Sequence, residues 1–305
     1  MKKQQVIVIA GPTASGKTKL AIELAKKING EIISCDSMQI YKEMDIGTAK
    51  PTKEEQQGIK HYMLDIIFPN ERFSVSDYKK MAEKQIEQVL KNGKVPILVG
   101  GTGLYVNSLI YGIEFVEIEF DEEYRQQLEK RAETEGLQKL YEEAKAIDEE
   151  AMKVISPNDK KRILRVLEIF HQTGMTKTKQ DELSRKNGPK YNYRVFAINI
   201  DREILYDRIN IRVDQMLENG LIDEVKSIYK KYNSFPTAMQ GIGYKEVVQY
   251  LQENITKEEM IEKIKQESRR YAKRQLTWFR KNKEIIWLDG LNDIQNNIKI
   301  ILEEK

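Results

Sequence analysis

An α/β fold follows from three features of this sequence: short apolar runs that end in glycine, helical periodicity between them, and a glycine-rich turn where the first run meets the first helix. Residues 6–10 (Val-Ile-Val-Ile-Ala) are apolar, β-branched and closed by Gly11, the pattern of a strand buried on both faces. Residues 17–28 place Leu20, Ile22, Leu24, Ala25 and Ile28 at helical spacing, and Asn29-Gly30 stops the helix. A second strand is expected at 31–35, an amphipathic helix at 78–90, and a third strand at 95–99, entered through Pro96 and closed by Gly100-Gly101. Two more β-rich runs lie at 194–200 and 285–288, while 201–231 and 256–283 are helical. Strands alternating with helices imply a parallel sheet with helices on both faces.

Residues 117–193 break that rhythm. They contain no strand signal, are dense in Glu, Lys, Gln and Leu, and suggest helices at 121–136, 137–146, 148–154 and 159–173. Asn187-Gly188-Pro189 then marks a loop back to the sheet. The expected organisation is a core from 1–116 and 194–305, interrupted by an all-helical insertion at 117–193.

At 305 residues the chain suits about two domains. Its single cysteine, Cys35, excludes a disulfide framework and a cysteine-based zinc cluster, and fits a reducing, cytoplasmic setting. The apolar run after the two N-terminal lysines is too short for a signal peptide, and no run of about 18 apolar residues could span a membrane.

The net charge of +3 is uninformative, but its distribution is not. Residues 117–150 carry thirteen acids and five bases, 158–190 nine bases and four acids, and 265–283 eight bases and one acid, with Tyr271, Trp278 and Phe279 interleaved. The two basic runs are either solvated helix faces or surfaces that follow a phosphate backbone.

The strongest motif is Gly11-Pro12-Thr13-Ala14-Ser15-Gly16-Lys17-Thr18, a full G-x-x-x-x-G-K-[ST] between a strand and a helix. Its glycines let backbone N–H groups converge on phosphate oxygens, and the helix N-terminus adds partial positive charge. Lys17 supplies a point charge and the Thr18 hydroxyl a ligand for Mg²⁺. The core is therefore expected to be P-loop NTPase-like. A second turn, Gly100-Gly101-Thr102-Gly103, ends a neighbouring strand and places Thr102 towards the same crevice. The apolar strand ending in aspartate that an ordinary P-loop ATPase uses is missing. Asp36, after the second strand, is the one acid in the right place, as a magnesium-site acid, a general base or an exposed turn residue.

Five segments occur in order: GPTASGKT (11–18), SCDSMQIYKEMDIG (34–47), GGTGLY (100–105), GIGYKE (241–246) and AKRQLTWFR (272–280). Together they closely resemble the bacterial tRNA dimethylallyltransferases, over nearly the whole chain. The resemblance implies transfer of a dimethylallyl group from dimethylallyl pyrophosphate to N6 of adenosine at tRNA position 37, beside the anticodon, in a monomer. It implies that the P-loop, with Mg²⁺, cradles the donor's pyrophosphate and that Arg212 contacts it. Asp36 resembles the family's general base, and Thr102 the partner at the reacting oxygen. Ser37, Met38 and Gln39 correspond to the segment that holds the flipped adenosine. Lys161, Arg162 and Arg165 match the stretch that touches the anticodon stem-loop, and Arg125, at the front of the insertion, is a separate tRNA-binding candidate. Lys273, Arg274, Gln275 and Trp278 lie where the family binds RNA near the core.

Three alternatives share parts of this pattern. A P-loop small-molecule kinase would use the same loop with a base at Asp36. An adenylate isopentenyltransferase would prenylate free AMP but has no need of two basic surfaces. An RNA-binding module would bind without turnover.

Overall fold

A computed structural model describes residues 3–115 and 121–304. Six strands, β1 (Gln5–Ala10), β2 (Gly30–Ser34), β3 (His61–Tyr62), β4 (Val95–Gly100), β5 (Asn192–Asn199) and β6 (Ile286–Asp289), form one sheet in the order β3-β2-β4-β1-β5-β6. Every pairing is parallel. Ile7, Ile9, Ile32, Ile97, Val99, Phe196 and Ile198 point to one face, where helices Lys17–Ile28 and Ile294–Glu303 contribute to the same core. The alternate residues Val6, Val8, Ile33 and Leu98 are equally buried on the other face. That double burial is why these strands are continuous apolar runs.

Two compact units divide the chain, one of residues 1–110 and 190–305, the other of 111–189. The boundary expected at 116–117 lies where residues 116–120 fall outside the described part. The division comes earlier because residues 111–115 pair with the segment leaving the same unit. Glu114 N donates to the Ser184 carbonyl at 2.8 Å, and Asn187 Nδ2 donates to Glu114 Oε1 at 2.8 Å.

The second unit is helical, with its own core of Leu128, Leu140, Ile163, Leu164 and Leu167. Its helices are Glu122–Thr134, Leu137–Ile147, Glu149–Met152, Lys160–Thr173 and Lys177–Ser184. The last was not expected from periodicity; Thr176 starts it by accepting from Lys179 N, and Asp148 fixes it by accepting from Thr178 N and Oγ1 at 2.8 and 2.7 Å. Other elements missing from the sequence-based expectation are β3, helices Lys53–Gln56, Gly103–Ile110, Tyr244–Leu251 and Ile294–Glu303, and the short 3-10 turn Ala238–Gln240. No helix among the described residues is long and apolar enough to cross a membrane.

Candidate active site

Strand register brings three loops to one level. Ala10 pairs with Gly100 and Ser34 with Val99, so the turns after β1, β2 and β4 leave the sheet together. They are stitched to one another. Cys35 N donates to the Val99 carbonyl at 2.7 Å, and Thr102 N to the Cys35 carbonyl at 3.1 Å. Thr102 Oγ1 accepts from Ser37 N at 3.0 Å. Gln275, on helix Lys257–Phe279, accepts from Thr13 N at 2.9 Å and donates to the Gly101 carbonyl at 3.0 Å. The approach is so close that a Cβ at Gly100 would overlap the Cys35 carbonyl. Gly100→Ala is therefore expected to cost about 1–3 kcal/mol of stability, read as a lower melting temperature.

The loops open onto a cavity of about 390 Å³. Thr13, Lys17, Thr18, Asp36, Ser37, Met38, Gln39, Arg212, Arg274 and Gln275 line it. The other P-loop residues lie beside it: the Pro12 carbonyl accepts from Lys17 Nζ at 3.2 Å, Ala14 adopts a positive φ of 60°, and the Ser15 hydroxyl is buried without a hydrogen-bond partner among the described residues. Gly11 and Gly16 also have positive φ, at 151° and 87°, as the turn requires. Thr102 is not itself among the lining residues, but its hydroxyl bonds two that are, Ser37 and Tyr271.

Four cations, Lys17, Arg212, Lys245 and Arg274, line the cavity, and Asp36 is the one carboxylate among the described lining residues. Burial, then the Arg212 charge, brings the Lys17 ammonium down to about 8, with Asp36 acting in the opposite direction. Burial also lowers Arg212 from its ordinary value, and its Nε is buried without a hydrogen-bond partner among the described residues. Lys245 pairs with Glu246 at 3.4 Å, but Lys17, Arg212 and Arg274 have no ion-pair partner among the described residues, so the cavity suits a polyanion. Asp36 Oδ1 accepts from Met38 N at 2.9 Å and from Gln39 N at 3.4 Å, which fixes the carboxylate at the cavity wall. Tyr271 also lines the cavity; burial, then the Asp36 charge, pushes its hydroxyl up to about 12. Cys35 is buried and its thiol is pushed up to about 12 by that burial, so it does not serve as a nucleophile.

Several residues expected to meet RNA are engaged within the protein. The Gln275 amide ties the P-loop to the second glycine turn, as above. The Gln39 amide donates to the Thr48 and Ala49 carbonyls, both at 3.3 Å. Arg125 is paired with Glu129 and Glu168 at 2.8 and 2.9 Å within the helical unit. Trp278 packs over the Gly103 backbone, and its indole N–H is buried without a hydrogen-bond partner among the described residues. The 265–283 run is also partly neutralised: Lys265 pairs with Asp214, Arg269 with Glu262 and Arg270 with Glu267. Lys273 and Arg274 are exposed, and neither has an ion-pair partner among the described residues. In the helical unit, helix Lys160–Thr173 buries Ile163, Leu164, Val166 and Leu167 and leaves Lys161, Arg162 and Arg165 exposed.

Sequence reasoning missed Tyr271, Lys245 and His61 as cavity residues. Tyr271 sits three positions before Arg274 on one helix, a spacing that shares a face. Lys245 lies inside the GIGYKE segment. His61 has no local signal, because it enters only through pairing of β3 with β2.

No cluster of three or more His, Cys, Asp or Glu side chains suited to a metal exists among the described residues. Thr18 and Asp36 are the oxygen donors beside Lys17 that fit a Mg²⁺ held mainly by phosphate and water.

A family model described as IPP transferase matches residues 39–282. The chain is 50% identical over 297 residues to a tRNA dimethylallyltransferase of Acetivibrio thermocellus, covering 97% of this chain and 95% of that one. It is 46% identical over 299 residues to the tRNA dimethylallyltransferase of Halalkalibacterium halodurans, covering 98% and 95%. Among solved structures, it resembles the full-length tRNA isopentenylpyrophosphate transferase of Bacillus halodurans with a TM-score of 0.73 and 44% identity, over 99% and 95% of the two chains. A eukaryotic dimethylallyltransferase acting on tRNA superposes with a TM-score of 0.81 at 31% identity, over 98% of this chain and 79% of that one.

Proposed function

The chain belongs to the IPP transferase family, the tRNA dimethylallyltransferases, and from that premise we propose how its cavity performs the reaction. The enzyme transfers a dimethylallyl group from dimethylallyl pyrophosphate to N6 of adenosine at tRNA position 37, releasing pyrophosphate. The observation that carries the assignment of roles is the composition of the cavity wall: four cations and the P-loop turn around a single carboxylate. A diphosphate satisfies the cations, and an amine that must lose one proton satisfies the carboxylate.

The adenine amine is a weak nucleophile because its lone pair is delocalised into the ring. The barrier therefore falls mainly on C–O cleavage, which builds negative charge on the departing diphosphate. The P-loop amides, Lys17 and Arg212 are placed to stabilise that charge without reorganising. Mg²⁺, when bound at Thr18, supplies further neutralisation of the diphosphate oxygens. Asp36 accepts the N6 proton as the new C–N bond makes the amine acidic. Thr102 secures Ser37 next to Asp36. A hydroxyl holds one proton, so the weak donation from Thr102 to Ser37 Oγ at 3.2 Å is the one the bridging oxygen would claim. Met38 and Ser37 flank the position of the extruded adenine, whose release from the stack is least costly in a loop.

Lys161, Arg162 and Arg165 in the helical unit and, separately, Lys273 and Arg274 in the core are each proposed to contact tRNA phosphates. Incubation with labelled donor separates the readings. Unmodified tRNA should accept label while free AMP does not, and ATP should remain intact; ADP release would mark a kinase instead. If the exposed bases neutralise phosphates, log affinity for tRNA should fall steeply with log salt, and Lys273→Ala should reduce that slope by about 1. A salt-insensitive affinity would make the basic runs solvated faces only.

A further inference from the structure

The segment that carries Asp36 is long and almost free of regular structure, yet it is held at an anionic and a cationic point. Glu224, on helix Leu221–Lys231, accepts from Asp45 N and Ile46 N at 2.8 and 2.7 Å through Oε2. Its Oε1 accepts from Gly47 N at 3.0 Å and from the Tyr244 hydroxyl at 2.6 Å. Burial and the Glu224 charge hold Tyr244 well above the ordinary phenol range, so it stays a donor. On the other side, Lys50 Nζ donates to the Tyr41 carbonyl at 2.8 Å and pairs with Asp45 and Asp65, each at 2.6 Å.

From these observations we infer that Glu224 is a positioning residue for Asp36, acting through the backbone of 45–49. The connection is continuous. Gly47, Thr48 and Ala49 form part of the cavity wall. The Thr48 and Ala49 carbonyls accept from Gln39 Nε2, both at 3.3 Å, while Gln39 N and Met38 N donate to Asp36 Oδ1. Three converging N–H groups make an anion site, and here a carboxylate of the protein fills it. Gly47 is needed at the contact, since a Cβ there would lie 2.5 Å from the Tyr244 ring. The end of helix Leu221–Lys231 touches the same segment again through Lys231 and the following Tyr232, which both reach Glu43 Oε1. The P-loop takes no part in this network, so the clamp serves the proton acceptor and not the diphosphate cradle.

The inference rests on the tRNA reading of the cavity; wild-type turnover reports on that reading, and the variants report on the clamp. Glu224→Gln keeps the shape but presents an amide N–H₂ towards backbone donors. The expected result is a kcat lowered about 10- to 100-fold, the scale of a small misplacement of a reacting group. The KM for dimethylallyl pyrophosphate and the affinity for inorganic pyrophosphate should stay within about twofold, and Glu224→Asp should recover part of the loss. Gly47→Ala displaces the same segment with Glu224 intact and should give the same signature. A kcat near wild type in either folded variant would overturn the inference. So would a fall in pyrophosphate affinity as large as the fall in kcat. If neither variant folds, the contact holds the fold and not the base, which overturns it equally.

Discussion

Asp36→Asn is expected to lower turnover by about 10²–10⁴-fold while tRNA still binds. Asparagine keeps an oxygen that accepts from Met38 N and Gln39 N, so the turn that presents residue 36 survives. It cannot accept the N6 proton, and no second carboxylate lines the cavity among the described residues to take over. Single-turnover prenylation of tRNA, set beside filter binding of the same tRNA, separates the two effects. Turnover close to wild type would remove Asp36 from the role of base. Loss of tRNA binding in parallel with turnover would make it a binding residue.

Lys17→Met should reduce kcat/KM for dimethylallyl pyrophosphate by about 10²–10³-fold, the scale for removing one preorganised donor from a developing anion. The pH dependence carries a defined sign. In the free protein Lys17 titrates at about 8, because burial and Arg212 oppose its charge. A bound diphosphate favours the charged form, so binding takes up a proton wherever free Lys17 is deprotonated. Donor affinity is therefore full below about pH 8 and falls as pH rises through and beyond that value. The Lys17→Met variant should lack this component. Isothermal titration at pH 7, 8 and 9 in both proteins would reveal it, and parallel profiles would show that Lys17 does not contact the diphosphate.

Much of the core was legible because burial on both faces of a parallel sheet leaves short, β-branched apolar runs bounded by glycine. Helix Lys17–Ile28 was legible to the residue, since the P-loop starts it and Asn29, at a left-handed φ of 53°, ends it. β3 was not, because it is two residues long and half-buried, and its pairing with β2 is a tertiary event. Helix Tyr244–Leu251 follows a glycine-rich segment whose local chemistry spells a turn. The helix at Gly103–Ile110 begins inside the Gly100-Gly101-Thr102-Gly103 motif, whose glycines spell only a turn. At the site, the P-loop and Asp36 were visible from motif and position. The duties of Gln275 and Gln39 were not. Each is an amide whose partners lie far off in sequence or in an irregular loop, so its residue type does not distinguish an RNA contact from an internal tie. The basic run at 265–283 illustrates the same limit, since three of its cations meet acids that only the fold brings near.

The central claim is that the diphosphate in the P-loop leaves from carbon. It is tested most directly by dimethylallyl pyrophosphate labelled with ¹⁸O at the bridging carbon–oxygen position. After turnover with unmodified tRNA and magnesium, mass spectrometry should find all of the label in released pyrophosphate and the five-carbon unit on adenosine nitrogen. Label retained in a five-carbon alcohol, or phosphate transferred to the acceptor, would show cleavage at phosphorus and contradict the account.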